Sequence, residues 1–226
     1  MKLFIGNKNY SSWSMRHWVL LRQAGIPFQE VKVRFDSFSA DSQFKNTLRS
    51  LTPVGRVPVL QDGDRVIWDS LAIAEYLAEA FADRHLWPRE ASARARARSL
   101  CAEMHSGFMA LRSNCPMNIE AQLPEVGALK WRDVAALRAD VTRIDQMWCE
   151  ALQHHGGPML FGDFSIADAF FAPVVMRLRT YALPLSDTAR AYTQRVVALP
   201  GVKAWMDDAL AEKDFLDFEE PYRLRR

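Results

Sequence analysis

The sequence predicts an α/β domain built on a mixed four-stranded sheet, followed by an all-α domain. Three observations carry this. Over roughly the first eighty residues, short alternating apolar runs trade places with helical periodicities. Inside that stretch the Gly-bearing turn Asp62-Gly63-Asp64 sits between two apolar pieces, as a hairpin requires. After Asp83 almost every segment has helical spacing, broken only by Pro and Gly clusters.

Lys2 to Gly6, K-L-F-I-G, opens the chain as a short strand. Ser14 to Ala24 follows as a helix, with Met15, Trp18, Val19 and Leu21 on one side and Gly25 ending it. Phe28 to Val33 alternates apolar and polar, a half-buried strand. Asp41 to Ser50 is a weaker, polar helix. Val59–Leu60 and Val66–Trp68 flank the hairpin turn, and Asp69 to Phe81 is a helix whose buried stripe is Leu71, Ile73, Ala74 and Leu77. The order β-α-β-α-β-β-α is that of a thioredoxin-like domain, placed at 1–82. A dinucleotide-binding unit needs further crossovers and a G-x-G-x-x-G turn, which the chain lacks.

Residues 83–90 read as a linker in which Pro88 blocks helix continuation. Residues 91–226 form the helical domain, with helices expected at Ala91–Ser113, Trp131–Gln153, Ser165–Tyr181, Asp187–Ala198 and Val202–Glu212. Ser165-Ile166-Ala167-Asp168 has the form of a capping box, and Pro173 is expected to kink the helix it starts.

At 226 residues, 49% apolar and 25% charged, the chain has the balance of a globular protein able to bury two cores. A net charge of +2 gives no field strong enough to argue for nucleic acid or a membrane. The longest apolar run, Ala169 to Met176, is well short of the ~20 residues a span needs. No secretory core follows Lys2. Cys101, Cys115 and Cys149 form no C-x-x-C pair, which fits a reducing cytoplasm and gives neither a disulfide framework nor a zinc site. His154-His155 lacks metal spacing as well.

Three segments carry chemistry. Tyr10-Ser11-Ser12-Trp13-Ser14-Met15-Arg16 lies where the first strand meets the first helix. Its hydroxyls and the positive helix end either cap the helix or hold an anion such as a thiolate. In Gly55-Arg56-Val57-Pro58-Val59-Leu60 the proline opens a strand. It is either an ordinary trans residue or a cis one that turns the Val57 N–H and C=O toward an extended peptide. Trp68-Asp69-Ser70-Leu71 begins a helix, where Asp69 and Ser70 either cap it or receive the ammonium and carboxylate of an α-amino acid.

Taken together, these segments resemble the glutathione transferase superfamily over essentially the whole chain. S-S-x-S-x-R from Ser11 to Arg16 is similar to the serine motif of the zeta-like members, although Trp13 stands where that class has cysteine. V-P-V-L at Val57–Leu60 matches the family's cis-proline segment, Asp69–Leu77 its γ-glutamyl-binding helix start, and Ser165–Asp168 its capping box. The resemblance implies a homodimeric, cytoplasmic detoxification enzyme that uses glutathione as co-substrate against a small, largely apolar electrophile. Ser11 then meets the sulfur, with Ser12 and Ser14 as further candidates beside Trp13. Val57 and Pro58 take the cysteinyl backbone, Asp69 and Ser70 the γ-glutamyl end, and Arg56 the glycine carboxylate. A glutathione-dependent cis-trans isomerase of maleylacetoacetate or maleylpyruvate type, or a carrier of apolar ligands, are the alternatives. For the second substrate, Met104, His105, Phe108, Met109 and Arg112 recur on one face of the expected 91–113 helix, and Arg112 favours an anionic or carbonyl-bearing compound.

Overall fold

In the computed structural model, which describes every residue from Met1 to Arg226, the opening strand β1 (Lys2–Ile5) alternates as its residues demand, with Leu3 and Ile5 fully buried. It is the second strand of a sheet ordered β2-β1-β3-β4. β2 (Gln29–Lys32) runs parallel to β1, with Leu3 opposite Glu30. β3 (Val59–Asp62) runs antiparallel to β1, with Leu60 opposite Leu3, and β4 (Arg65–Trp68) completes the hairpin. Two parallel neighbours need a crossover, which α1 (Ser12–Gln23) provides. α2 (Gln43–Arg49) is capped by the Ser42 hydroxyl, and α3 (Ser70–Ala80) follows β4 directly. The mixed four-stranded sheet is the one the sequence predicts.

The helical half comprises α4 (Ala91–Ser106), α5 (Met109–Asn114), α6 (Pro124–Asp133), α7 (Ala135–His155), α8 (Ile166–Thr180), α9 (Asp187–Ala198) and α10 (Pro200–Glu212). Two expectations are corrected. The single helix over 91–113 is two, because Gly107 leaves helical geometry and Phe108 adopts φ 58°. A Cβ on Gly107 would stand 2.8 Å from the Glu103 carbonyl oxygen, so only glycine lets the chain turn there. The helix expected from Trp131 is also two. α6 starts at Pro124, which suits a first-turn position, and an extended Val134 separates it from α7. Gly127 of α6 lies against the Tyr181 carbonyl, where a Cβ would have no room.

The two halves share one core. α1 packs along α8 and α10, and Trp18 of α1 meets Trp205 of α10 edge-on at 5.5 Å. Over that pair sits the nearly buried Lys8, its ammonium 4.4 Å from the Trp18 ring and 2.7 Å from Glu30. Beyond α10 the chain returns to the sheet, where Asp214 accepts from Asn7 Nδ2 at 2.8 Å and from Arg34 Nε at 2.6 Å.

α8 crosses the centre of the helical half and continues through Pro173. Its capping box forms as the sequence predicts: Ser165 Oγ accepts from the Ala167 N–H, and Asp168 accepts from the Ser165 N–H at 2.9 Å. The fully buried Asp168 also accepts from the Leu160 N–H at 3.1 Å and the Tyr192 hydroxyl at 2.9 Å. Truncating it strands several buried donors at once. Asp168→Ala is therefore expected to lower the unfolding free energy by about 3 kcal/mol. A urea titration followed by circular dichroism measures this, and a loss below about 1 kcal/mol would show the network to be dispensable.

Candidate active site

The loop after β1 delivers the serine segment to a cavity of about 540 Å³ between the two halves. Its wall carries Ser11, Ser12, Trp13, Arg56, Val57, Arg112 and Arg177, with Phe35, Phe38 and Phe44 on one side. A second cavity of about 460 Å³ adjoins it, lined by Val54, Pro58, Trp68, Asp69, Ser70 and His105. Trp13, Arg56 and Val57 belong to both. The three sequence segments thus converge on one continuous site. The Val57–Pro58 bond is cis, as expected for this segment.

The three serines have different surroundings. Ser11 stands at the cap position of α1, and its Oγ donates to Ser14 Oγ at 2.7 Å. Ser12 Oγ accepts from Arg177 Nη2 at 3.2 Å, which leaves its own hydrogen free to donate. Ser14 is fully buried, accepts from the Gly6 N–H at 3.1 Å and lines neither cavity. Its hydroxyl ties α1 to β1. Of the three candidates, Ser11 and Ser12 alone reach the cavity.

Behind them the fully buried Arg16 spans the site. Its guanidinium lies 4.2 Å from the Trp13 ring and 4.7 Å from Phe170, and Nη1 donates to Ser70 Oγ at 3.1 Å. Burial, with Arg112 nearby, pulls its pKa down to about 9, so it remains charged at neutral pH. Since arginine only donates, the Ser70 hydrogen is left for His105 Nδ1, 3.2 Å away. His105 Nε2 in turn faces Asp69 Oδ2 at 3.4 Å. Burial and the Arg16 and Arg112 charges outweigh Asp69 and hold the His105 pKa below its usual value, so a neutral imidazole links the Arg16–Ser70 pair to the Asp69 carboxylate. Asp69, at φ 73°, caps α3 through the Leu71 N–H and still presents an exposed carboxylate. Asp69 therefore both caps α3 and lines the site, while Ser70, the first residue of the helix, lines it.

The face assigned to the second substrate does not form as one surface, because the chain breaks at Gly107–Phe108. Met104 and Phe108 join the core, and Met109 is 62% exposed, away from both cavities. His105 reaches the second cavity and Arg112 the first. Arg112 is held by the carbonyl ends of α4, with Nε donating to Gly107 O at 2.9 Å and Nη2 to Met104 O. Its guanidinium lies 4.9 Å from the Trp13 ring, so two cations, Arg16 and Arg112, lie against the indole. Sequence reasoning missed Lys45, Arg177 and Glu219 on the cavity wall. Arg177 is the one with a visible signal, being a charge directly after the longest apolar run.

His17, on the buried side of α1, bonds the Ser70 carbonyl at 2.8 Å through Nε2, which fixes the proton there; Nδ1 has no partner. Complete burial drops its pKa from 6.5 to about 3. The unfolded chain then binds a proton that the folded chain refuses. Stability is complete above pH 6.5 and falls below it by up to about 1.4 kcal/mol per unit until pH 3. Urea titrations across that window should show a slope smaller by one proton in His17→Gln than in the parent. Equal slopes would remove His17 from the acid response.

The chain's N-terminal half matches the glutathione S-transferase N-terminal domain family over residues 10–80, and its C-terminal half the corresponding C-terminal domain family over 130–208. Glutathione S-transferase 1 of Dianthus caryophyllus is 30% identical over 178 residues, covering 78% of this chain and 76% of that protein. A Burkholderia glutathione transferase homologue solved with bound glutathione is 26% identical, with a TM-score of 0.66 over 93% of this chain and 97% of that one. The maleylacetoacetate isomerase of Methylobacterium extorquens, solved with malonate and glutathione, is 25% identical, with a TM-score of 0.64 over 91% and 96%. With its serine-lined helix start, cis-proline loop and capped α3 converging on one cavity, this chain belongs to the glutathione S-transferase family.

Proposed function

We propose that the protein is a cytoplasmic, homodimeric glutathione transferase whose Ser11 hydroxyl holds the glutathione thiolate for attack on a small electrophile. The observation that carries this reading is the placement of Ser11 and Ser12 at the positive end of α1, on the wall of a cavity they share with Val57 and Arg56. The peptide backbone of glutathione lies along Val57. Its γ-glutamyl end enters the second cavity, where the start of α3 takes the carboxylate and Asp69 the ammonium. Arg56, joined by Lys45, faces the glycine carboxylate.

Ser11 donates to Ser14 in the absence of a better acceptor, and a thiolate, being charged, competes well for that hydrogen. Ser14 keeps its bond from Gly6 when Ser11 turns away. Ser12 stands beside it, polarised by Arg177. The sulfur pKa falls by about one unit for each 1.4 kcal/mol that these donors contribute. Attack then forms a carbon–sulfur bond at the electrophile and expels its leaving group. Arg112 and Arg177 lend the cavity a positive potential suited to anionic or carbonyl-bearing compounds.

Ser11→Ala is expected to raise the pKa of bound glutathione by ~1–2 units and to slow conjugation at neutral pH by about ten- to a hundredfold, with partial recovery at higher pH. pH–rate profiles with 1-chloro-2,4-dinitrobenzene for Ser11→Ala and Ser12→Ala check this. A collapse in Ser12→Ala alone would move the thiolate to Ser12, and parent-like rates in both would end the serine mechanism.

A further inference from the structure

The last segment of the chain reaches the first cavity with a carboxyl group. After α10 the chain folds back under several anchors: the Leu216 N–H bonds the Tyr10 hydroxyl at 3.3 Å, and Phe218 meets Phe38 edge-on at 5.3 Å. Glu220 is nearly buried, taking the Tyr10 hydroxyl at 2.7 Å, Asn118 Nδ2 at 2.9 Å, and Arg223. Every oxygen of Glu220 is occupied. Its neighbour Glu219, in the 3₁₀ turn Asp217–Glu219, points the other way and joins the cavity wall, and its carboxyl makes no hydrogen bond. It is the only acidic side chain on that wall, against Lys45, Arg56, Arg112 and Arg177.

We propose that Glu219 sets the charge preference of the cavity for its second substrate. Ionised, it offsets the Arg177 charge and disfavours an anionic electrophile; protonated, it leaves Arg177 free to receive one. The titratable groups that share the wall with it are Arg177 from α8, Arg112 from α5, Lys45 from α2, Arg56 from the loop before β3 and Tyr10 from the loop after β1, with Glu220 next in the chain; Arg177 and Glu220 are the two whose charges act on it. Burial is the largest influence and pushes its pKa up to about 7; Glu220 adds to this and Arg177 opposes it. The carboxyl therefore changes charge within the working range, where an ordinary surface glutamate stays ionised. A polar carboxyl left without a partner on a cation-lined wall is costly unless a ligand completes the arrangement.

The inference rests on the transferase reading for one arm of its test and not for the other. In the first arm, kcat/KM is measured from pH 6 to 8 with 4-chloro-3,5-dinitrobenzoate and with neutral 1-chloro-2,4-dinitrobenzene. Thiol ionisation affects both electrophiles alike and cancels in their ratio. In the parent the benzoate-to-neutral ratio falls as pH rises through 7. In Glu219→Gln it is flat, and at pH 8 about fivefold higher than in the parent, the scale of one like charge removed at a half-buried site. The substitution is isosteric and removes no hydrogen bond, so folding is preserved. In the second arm, carboxyl carbon NMR follows Glu219 in the protein without glutathione, with and without benzoate. By linkage, an anion that prefers the protonated carboxyl must raise its pKa. A flat ratio in the parent, or a Glu219 titration that benzoate does not move, overturns the proposal. Loss of turnover with both halides would overturn the transferase reading while the NMR arm still decides the role of Glu219.

Discussion

The structure turns on Arg16, a cation with no water to solvate it. Leaving a guanidinium in that position costs several kcal/mol unless its surroundings replace the lost hydration. They do so by joining the ends of the site: Trp13 on one face, Phe170 of α8 on the other, and Ser70 of α3 at the rim. One side chain thereby sets the distance between the α1 start and the α3 start, the positions proposed for the sulfur and the amino-acid end. The unpartnered Arg16 Nε shows that compensation is incomplete, and the lowered pKa reports the same imbalance.

That constraint explains why the two halves cannot be separate modules. α1 is a sheet-side helix by connectivity, yet its buried flank is shared between the sheet and α8 and α10. Lys8 repeats the logic on the far side, clamped between Trp18 and acidic groups from both halves. The C-terminal return adds a third tie through Asp214 and Arg34. A cavity bounded by all three elements has walls that do not move independently, which is what precise placement of a thiolate demands.

The sheet, its order and most helices were legible because burial on one face imposes period-two and period-3.6 patterns that survive in a single sequence. The break at Gly107–Phe108 was not legible. The apolar spacing of Met104, Phe108 and Met109 fits an unbroken helix, whereas the observed turn is one that Gly107 permits because no Cβ is there to meet the Glu103 carbonyl. α6 was missed because Gly127 and the paired charges around it dilute the apolar stripe. In the site, Ser11, Ser12, Val57 and Ser70 lie in contiguous motifs and could be found. Lys45, Arg177 and Glu219 come from three distant segments, and nothing local to any of them records the cavity they meet in.

Trp13 has the largest consequence for chemistry. A cysteine there would offer a second soft nucleophile; an indole offers a π face, and the guanidiniums of Arg16 and Arg112 lie against this one. Trp13 lines both cavities, and Arg112 beside it brings a positive charge to the wall of the first. An apolar plane beside cationic side chains suits flat, electron-poor compounds. A thiolate that adds once and one that adds, lets a bond rotate and leaves again are the same glutathione sulfur, so Trp13 bears on which compound fits beside that sulfur and not on which of the two outcomes follows.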